Sequence, residues 1–143
     1  MHNMTNEEIY EFLKGQPYTG HLATVREDGR PHVATIWIIV DGEEIVFTTW
    51  HTSVKGKNLQ RTGYAALSVD DNTSPFTAVH LEGPVELISD PAESRKWAGR
   101  LGGRYMGEER AESSLPVTGS RANGCAVCAL SICPASPPSP SRG

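Results

Sequence analysis

No stretch of the 143 residues stays apolar for the roughly 20 positions that a membrane-spanning helix needs. The first residues, Met1 to Glu8, are polar and acidic, whereas a secretory leader starts basic and turns apolar. Both absences lead us to expect a cytoplasmic protein with no membrane partner. Positive charge is in short supply: 13 Lys and Arg stand against 17 Asp and Glu, a formal net charge of -4. That balance does not steer a whole molecule toward nucleic acid. No Walker loop, G-x-G-x-x-G or G-x-S-x-G occurs. His21, His32, His51 and His80 form no pair with H-x-x-x-H spacing, and each is read as a surface or hydrogen-bonded residue. Of the three cysteines, Cys125 and Cys128 make a C-x-x-C, with Cys133 nearby. No neighbouring histidine supplies a fourth zinc ligand, and no strand-to-helix turn is offered for a redox pair. No metal site is expected.

What is present suits one soluble domain. Hydrophobic residues make up 38% of the chain and charged residues 21%, and this length can bury a real core without staples. Composition divides the chain at residue 112. Residues 113–143 contain no Asp, Glu, Lys or aromatic residue, yet hold all three cysteines and half of the prolines. Residues 1–112 are therefore read as the functional domain. The segment 113–143 is read as atypical, with one strand by composition over Cys125 to Ile132 and a disordered Pro/Ser-rich end from Pro134.

Along the body, Thr5-Asn6-Glu7-Glu8 is a capping box that starts a helix, which Gly15 and Pro17 stop. Strand patterns run from Thr19 to Arg26, His32 to Val40 and Glu44 to Thr49. Asp28-Gly29 and Asp41-Gly42 separate them as tight-turn signals, which predicts a three-stranded antiparallel meander. A short helix follows over Ser53 to Arg61, then strands from Tyr64 to Val69 and Ala78 to Ile88. The last of these is bent, bulged or at an edge where Gly83-Pro84 interrupts it. Asp90-Pro91 opens a helix that runs through Trp97 and Leu101 toward Gly102-Gly103. Short antiparallel strands with helices at the corners favour a small closed barrel, because closure removes exposed edges.

The segment around Thr48, Thr49 and Trp50 carries the most chemistry. A strand ending in two hydroxyls runs into a helix whose first turn has free amides and, in it or just after it, Lys55, Lys57 and Asn58. Such a convergence makes a phosphate site, or else a solvated surface helix with no specific task. Trp37 and Trp50 either wall a flat cofactor or belong to the core. Alternation puts Thr35 and Trp37 on one strand face and Ile36 and Ile38 on the other.

Taken in order, Gly20-His21-Leu22-Ala23-Thr24-Val25, Asp28-Gly29-Arg30-Pro31-His32-Val33, Trp37, Asp41-Gly42, Phe47-Thr48-Thr49, Lys55-Gly56-Lys57-Asn58-Leu59, Val69-Asp70-Asp71 and Leu81-Glu82-Gly83 resemble the split β-barrel flavin and deazaflavin oxidoreductases. These form the pyridoxamine-phosphate-oxidase-like superfamily. Gly103-Arg104-Tyr105-Met106-Gly107 with Ala111-Glu112 resembles, more narrowly, the actinobacterial members that use coenzyme F420. The resemblance spans about residues 5–112. It implies a mainly β fold with short helices: a six-stranded antiparallel split barrel that forms a homodimer, with a cofactor groove at each side of the interface. It implies cofactor contacts from His32, Thr35, Ile36 and Trp37 along the ring, from Thr48 and Thr49, and from Lys55, Lys57 and Asn58 at the phosphate. Lys55, Lys57, Arg61 and Arg30 are candidates for the acidic tail of F420.

The chemistry implied is hydride transfer from reduced F420 to a conjugated small-molecule acceptor. The cofactor supplies the electrons, so no side chain is singled out as catalytic. The alternatives are an FMN-binding oxidase or electron-transfer relative, and a carrier that binds F420 or another ligand without turnover. The departure from the family lies after residue 112, which reads as a frameshifted or alternative C-terminus. Were Cys125 to Ile132 not to take the sixth strand position, the barrel would keep an open edge.

Overall fold

The structure, a computed structural model, describes residues 4–107 and 125–131. It opens with α1 (Asn6–Gly15), whose cap closes both ways. The Thr5 hydroxyl accepts from the Glu8 amide and the Glu8 carboxylate accepts from the Thr5 amide, each at 3.2 Å. Leu13 anchors this helix in the core, with Ile9 and Phe12 packed at its margin.

Two hairpins follow. β1 (Gly20–Val25) pairs with β2 (Pro31–Ile36) through a turn in which Gly29 has φ +89°. β3 (Ile39–Asp41) pairs with β4 (Glu44–Trp50) around Gly42 at φ +61°. Both glycines hold left-handed backbone, the reason these Asp-Gly pairs signal turns. The next strands are β5 (Tyr64–Asp71), β6 (Thr77–Ile88) and β7 (Cys125–Ser131), all in one antiparallel sheet ordered β2-β1-β5-β6-β7-β4-β3.

That order corrects two expectations. The run from His32 to Val40 is not one middle strand of a meander. It breaks at Trp37 and Ile38 into β2 and β3, which form the two outer edges of the sheet. The curled sheet therefore has seven strands rather than six, and the chain itself crosses the split between its edges. The break has a physical cause: the backbone N–H of Ile38 donates to the Tyr105 hydroxyl at 3.0 Å instead of entering a ladder.

Gly83-Pro84 marks a change of neighbour. β6 pairs with β5 from Thr77 to Pro84 and with β7 from Val85 to Ile88. β7 lies between β6 and β4, in register with both, and Ala126 to Leu130 are all buried. The strand position left open by the sequence is thus filled. The remainder of 113–143, including the expected Pro/Ser-rich end, lies outside the described residues.

α2 (Val54–Thr62) and α3 (Pro91–Met106) sit on the sheet. Asp90 caps α3 through the Ala92 amide at 3.0 Å. The helix passes Gly102-Gly103 and ends at Gly107, φ +87°. Interior glycine costs about 1 kcal/mol against alanine, and the contacts of Arg104 and Tyr105 beyond it offset that cost.

The inside of the curl is filled by Leu22, Ile45, Phe47, Leu67 and Val69 with Leu13. A second cluster, Val46, Trp97 and Val127, lies between the outer surface and α3. Each fully buried side chain of this kind contributes about 1.5–3 kcal/mol. Among the described residues, no helix is long and apolar enough to cross a membrane, and no three His, Cys, Asp or Glu side chains group as metal ligands.

Candidate functional site

A cleft of about 350 Å³ opens where the end of β2, the end of β4, α2 and α3 meet. β2 and the residue after it give Thr35, Ile36 and Trp37; β4 gives Thr48, Thr49 and Trp50; α2 gives Lys55; α3 gives Ala98 and Leu101. This volume is within the range of small-molecule sites. Trp37 and Trp50 are 37% and 43% exposed, so both indoles offer apolar surface to a ligand. Ile36 and Ile38 face the core, as strand alternation requires.

The start of α2 is held tightly against the end of β4. Ser53 caps it: its hydroxyl donates to the Trp50 carbonyl at 2.7 Å and accepts from the Gly56 amide at 3.0 Å. The Thr49 hydroxyl lies 3.0 Å from the same oxygen. With the one Ser53 proton committed to Trp50, Thr49 is the donor in that contact. The Gly56 amide is thereby satisfied, and the amides of Val54 and Lys55 remain the open donors of the first turn. A Cβ on Gly56 would lie 2.1 Å from the Trp50 carbonyl oxygen, so only glycine allows this approach. Lys55 is carried to the cleft beside those amides. The Lys55 ammonium, the open amides and the Thr48 hydroxyl make a cradle suited to an anionic group, next to indoles that suit a planar ring. The residues present thus fit a flavin or deazaflavin phosphate.

Six of the nine residues expected from the sequence line the cleft: Thr35, Ile36, Trp37, Thr48, Thr49 and Lys55. Three do not. Asn58 is 3% exposed and its amide donates to the Thr24 hydroxyl at 3.0 Å, clipping α2 to β1. The i, i+3 spacing with Lys55 put the two on nearby faces, but burial turned Asn58 toward the sheet. His32 sits opposite Thr24 in the β1–β2 register, half-buried, with its Nδ1 lacking a partner. Lys57 is exposed on α2. Two further cations are engaged elsewhere: Arg30 pairs with Asp28 at 2.8 Å, and Arg61 donates to the Val25 carbonyl.

The sequence reading missed α3 as a wall. Ala98 and Leu101 lie one turn apart on the helix and face the cleft. One turn further on, Tyr105 stacks on Trp37, ring centroids 5.0 Å apart and planes 3° from parallel. The spacing of the three residues was the available signal. Displaced ionisation lies away from the cleft. The Arg30 amide, then its guanidinium, hold Asp28 below the usual carboxylate range. The Thr73 amide does the same for Asp71. Desolvation raises Tyr18, and its hydrogen bond to Asp71 adds to the effect.

Comparison with known proteins bears on the family and the fold. The family model described as pyridoxamine 5'-phosphate oxidase matches residues 5–123. A pyridoxine/pyridoxamine 5'-phosphate oxidase of Mycobacterium sp. (strain KMS) is 35% identical over 101 residues, 67% of this chain and 44% of that protein. The chain thus spans less than half the length of that relative. A solved structure described as an F420 reductase is 30% identical, with TM-score 0.71, over 87% of this chain and 94% of that one. A conserved hypothetical protein from Mycobacterium tuberculosis is 26% identical, with TM-score 0.74, over 91% and 81% of the two chains. The match over residues 5–123, together with the likeness in fold, means that the chain belongs to the pyridoxamine 5'-phosphate oxidase-like split-barrel family.

Proposed function

We propose that the protein is a reductase that uses coenzyme F420 and delivers a hydride to a conjugated small-molecule acceptor. The observation that carries this reading is the likeness to the structure described as an F420 reductase, 30% identical with TM-score 0.71. The cleft supports it, with indoles for a flat ring and the Lys55 end for a phosphate. Reduced F420, when bound, supplies the hydride.

The chain's own residues have positional work. Lys55 and the first-turn amides of α2 hold the anionic end. Thr35 and Thr48 offer hydroxyls along the walls, and Trp37, Trp50 and Leu101 restrict water and fix the plane in which a ring lies. The proposed assembly is a homodimer. Support comes from the outward side of β1, β2 and β5, where Val25, Val33 and Tyr64 stand exposed. An FMN-dependent oxidase is the second reading, favoured by the 35% identity to the mycobacterial oxidase.

A fluorescence titration with F420 and FMN in parallel tests the proposal, followed by turnover with a panel of enones and quinones. Saturable micromolar binding of F420, weak binding of FMN and reduction of an acceptor are expected. Preference for FMN moves the protein to the second reading. Binding of F420 with no turnover on any acceptor leaves a carrier. Lys55→Ala should weaken F420 binding more than tenfold, since a charge-assisted phosphate contact contributes about 1.5–3 kcal/mol. Unchanged affinity in a folded variant rejects the phosphate assignment.

A further inference from the structure

We infer that Tyr105 is a positioning residue for the cleft: its hydroxyl locks the joint between β2 and β3, and its ring fixes the plane of Trp37. The inference rests on the reading of the cleft as a site for a planar cofactor, and it names the residue that sets the geometry of that site.

The joint is a weak point by construction. β2 ends at Ile36 and β3 starts at Ile39, at opposite edges of the sheet, so Trp37 and Ile38 have no ladder to hold them. Ile38 is 1% exposed, and water cannot readily replace a missing partner for its backbone. The Tyr105 hydroxyl does this instead. It accepts from the Ile38 N–H at 3.0 Å. Its own proton has two carbonyls within reach, Tyr18 at 2.6 Å and Ile38 at 3.0 Å, the nearer being Tyr18. One phenol therefore ties the sheet joint to the segment between α1 and β1.

Tyr105 is itself held in place. Its neighbour Arg104 donates to the carbonyls of Leu13 and Gln16 at the end of α1, and its guanidinium lies 5.7 Å from the Tyr105 ring. The last turn of α3 is thus pinned to α1. Trp37, stacked on Tyr105 and facing the cleft with its exposed part, takes its orientation from that fixed ring. A ring slot a fraction of an ångström too loose costs both affinity and alignment. Tyr105 does not line the cleft, so its effect passes through Trp37 and the joint.

Two variants separate the hydroxyl from the ring. Tyr105→Phe keeps the stack and removes the joint's hydrogen bonds; Tyr105→Leu removes both. In the ligand-free protein, amide hydrogen exchange reads the joint. The ¹⁹F resonance of 5-fluorotryptophan at position 37, assigned with Trp37→Phe, reads the stack. Tyr105→Phe should speed exchange of the Ile38 amide by about tenfold relative to the amides of Leu22 and Phe47, and should leave the Trp37 resonance nearly in place. Tyr105→Leu should also move or broaden the Trp37 resonance. F420 affinity should fall by about threefold to tenfold in Tyr105→Phe and further in Tyr105→Leu.

A merely structural tyrosine would speed the exchange of all three amides together. That result, or an unmoved Trp37 resonance in Tyr105→Leu, overturns the inference, as does full affinity in both variants of a protein whose wild type binds F420. If the wild type binds neither F420 nor FMN, the cofactor reading falls. The exchange and fluorine measurements on the ligand-free protein still decide whether Tyr105 sets the cleft.

Discussion

Two halves of the sheet treat their outer surfaces differently. Over β3, β4 and β7 lies α3, and Trp97 packs there against Val46 and Val127 with Ile39 and Ile88 at the margin. The Trp97 indole N–H donates to Glu93 at 3.1 Å, and Lys96 and Arg100 lie over its ring. Against β1 and β2 packs the short α2, through the buried Asn58–Thr24 contact, and outward side chains of β2, β1 and β5 stay uncovered among the described residues. There Val33, Val25 and Tyr64 are 67%, 49% and 48% exposed. The covered half gains its stability from its own chain, whereas the bare half leaves apolar surface for another molecule. The cleft sits on the boundary between them: Thr35 and Trp37 come from the bare edge, Thr48, Ala98 and Leu101 from the covered side.

The sharpest way to break this contrast is to remove its anchor. Trp97→Ala should cost about 3–5 kcal/mol, because a buried indole leaves a cavity between α3 and the sheet. Urea unfolding measures it, and a loss below 1 kcal/mol, well under that of a buried aromatic, would mean that α3 does not hold the covered half. Next in size is Gly56→Ala. Its Cβ would meet the Trp50 carbonyl, forcing α2 away from β4 at a cost of about 1–3 kcal/mol. The same variant should lose cofactor affinity, because the Lys55 end of the cleft shifts; retained affinity would separate the cleft from the helix start.

Val33→Lys tests the bare half. At 67% exposure the change should alter the stability of one copy by no more than about 0.5 kcal/mol. If the proposed dimer uses this surface, sedimentation should show the variant as a monomer and the wild type as a dimer. Equal behaviour of the two would leave the bare half without that partner.

The smallest effect concerns acid stability at the edge of the bare half. Asp71 accepts from the Thr73 amide at 2.9 Å and from the Tyr18 hydroxyl at 3.1 Å, and its pKa is lowered below the ordinary 3.8. A depressed carboxyl stabilises the fold above its unfolded value, and that contribution is lost as pH falls through the folded value. Stability should therefore drop between about pH 5 and about pH 3, and drop less in Asp71→Asn. Urea midpoints at both pH values check the difference.

Local chemistry was legible in the sequence because its partners are near in the chain. The Thr5–Glu8 box, the Asp-Gly turns and the Asp90-Pro91 start all appear where the residues placed them. So does the alternation that turns Ile36 and Ile38 inward. Other features were not legible, because they join residues far apart. Nothing between His32 and Val40 announces a break, since the cause is Tyr105, 67 positions from Ile38. Asn58 read as a ligand contact because its partner, Thr24, lies 34 positions away.

The sequence by itself determined which segments are helices and strands, where the tight turns fall, and that one strand-to-helix junction gathers Thr48, Thr49 and Lys55. Propensity, capping and period act over a few residues, so they can be read without the fold. The tertiary structure decided which strands become neighbours, placed β7 between β6 and β4, and divided the expected middle strand of the meander in two. It also brought α3 across one half to complete the cleft. Those outcomes depend on burying apolar surface and pairing buried backbone groups over the whole chain at once, and no short window of residues contains that information.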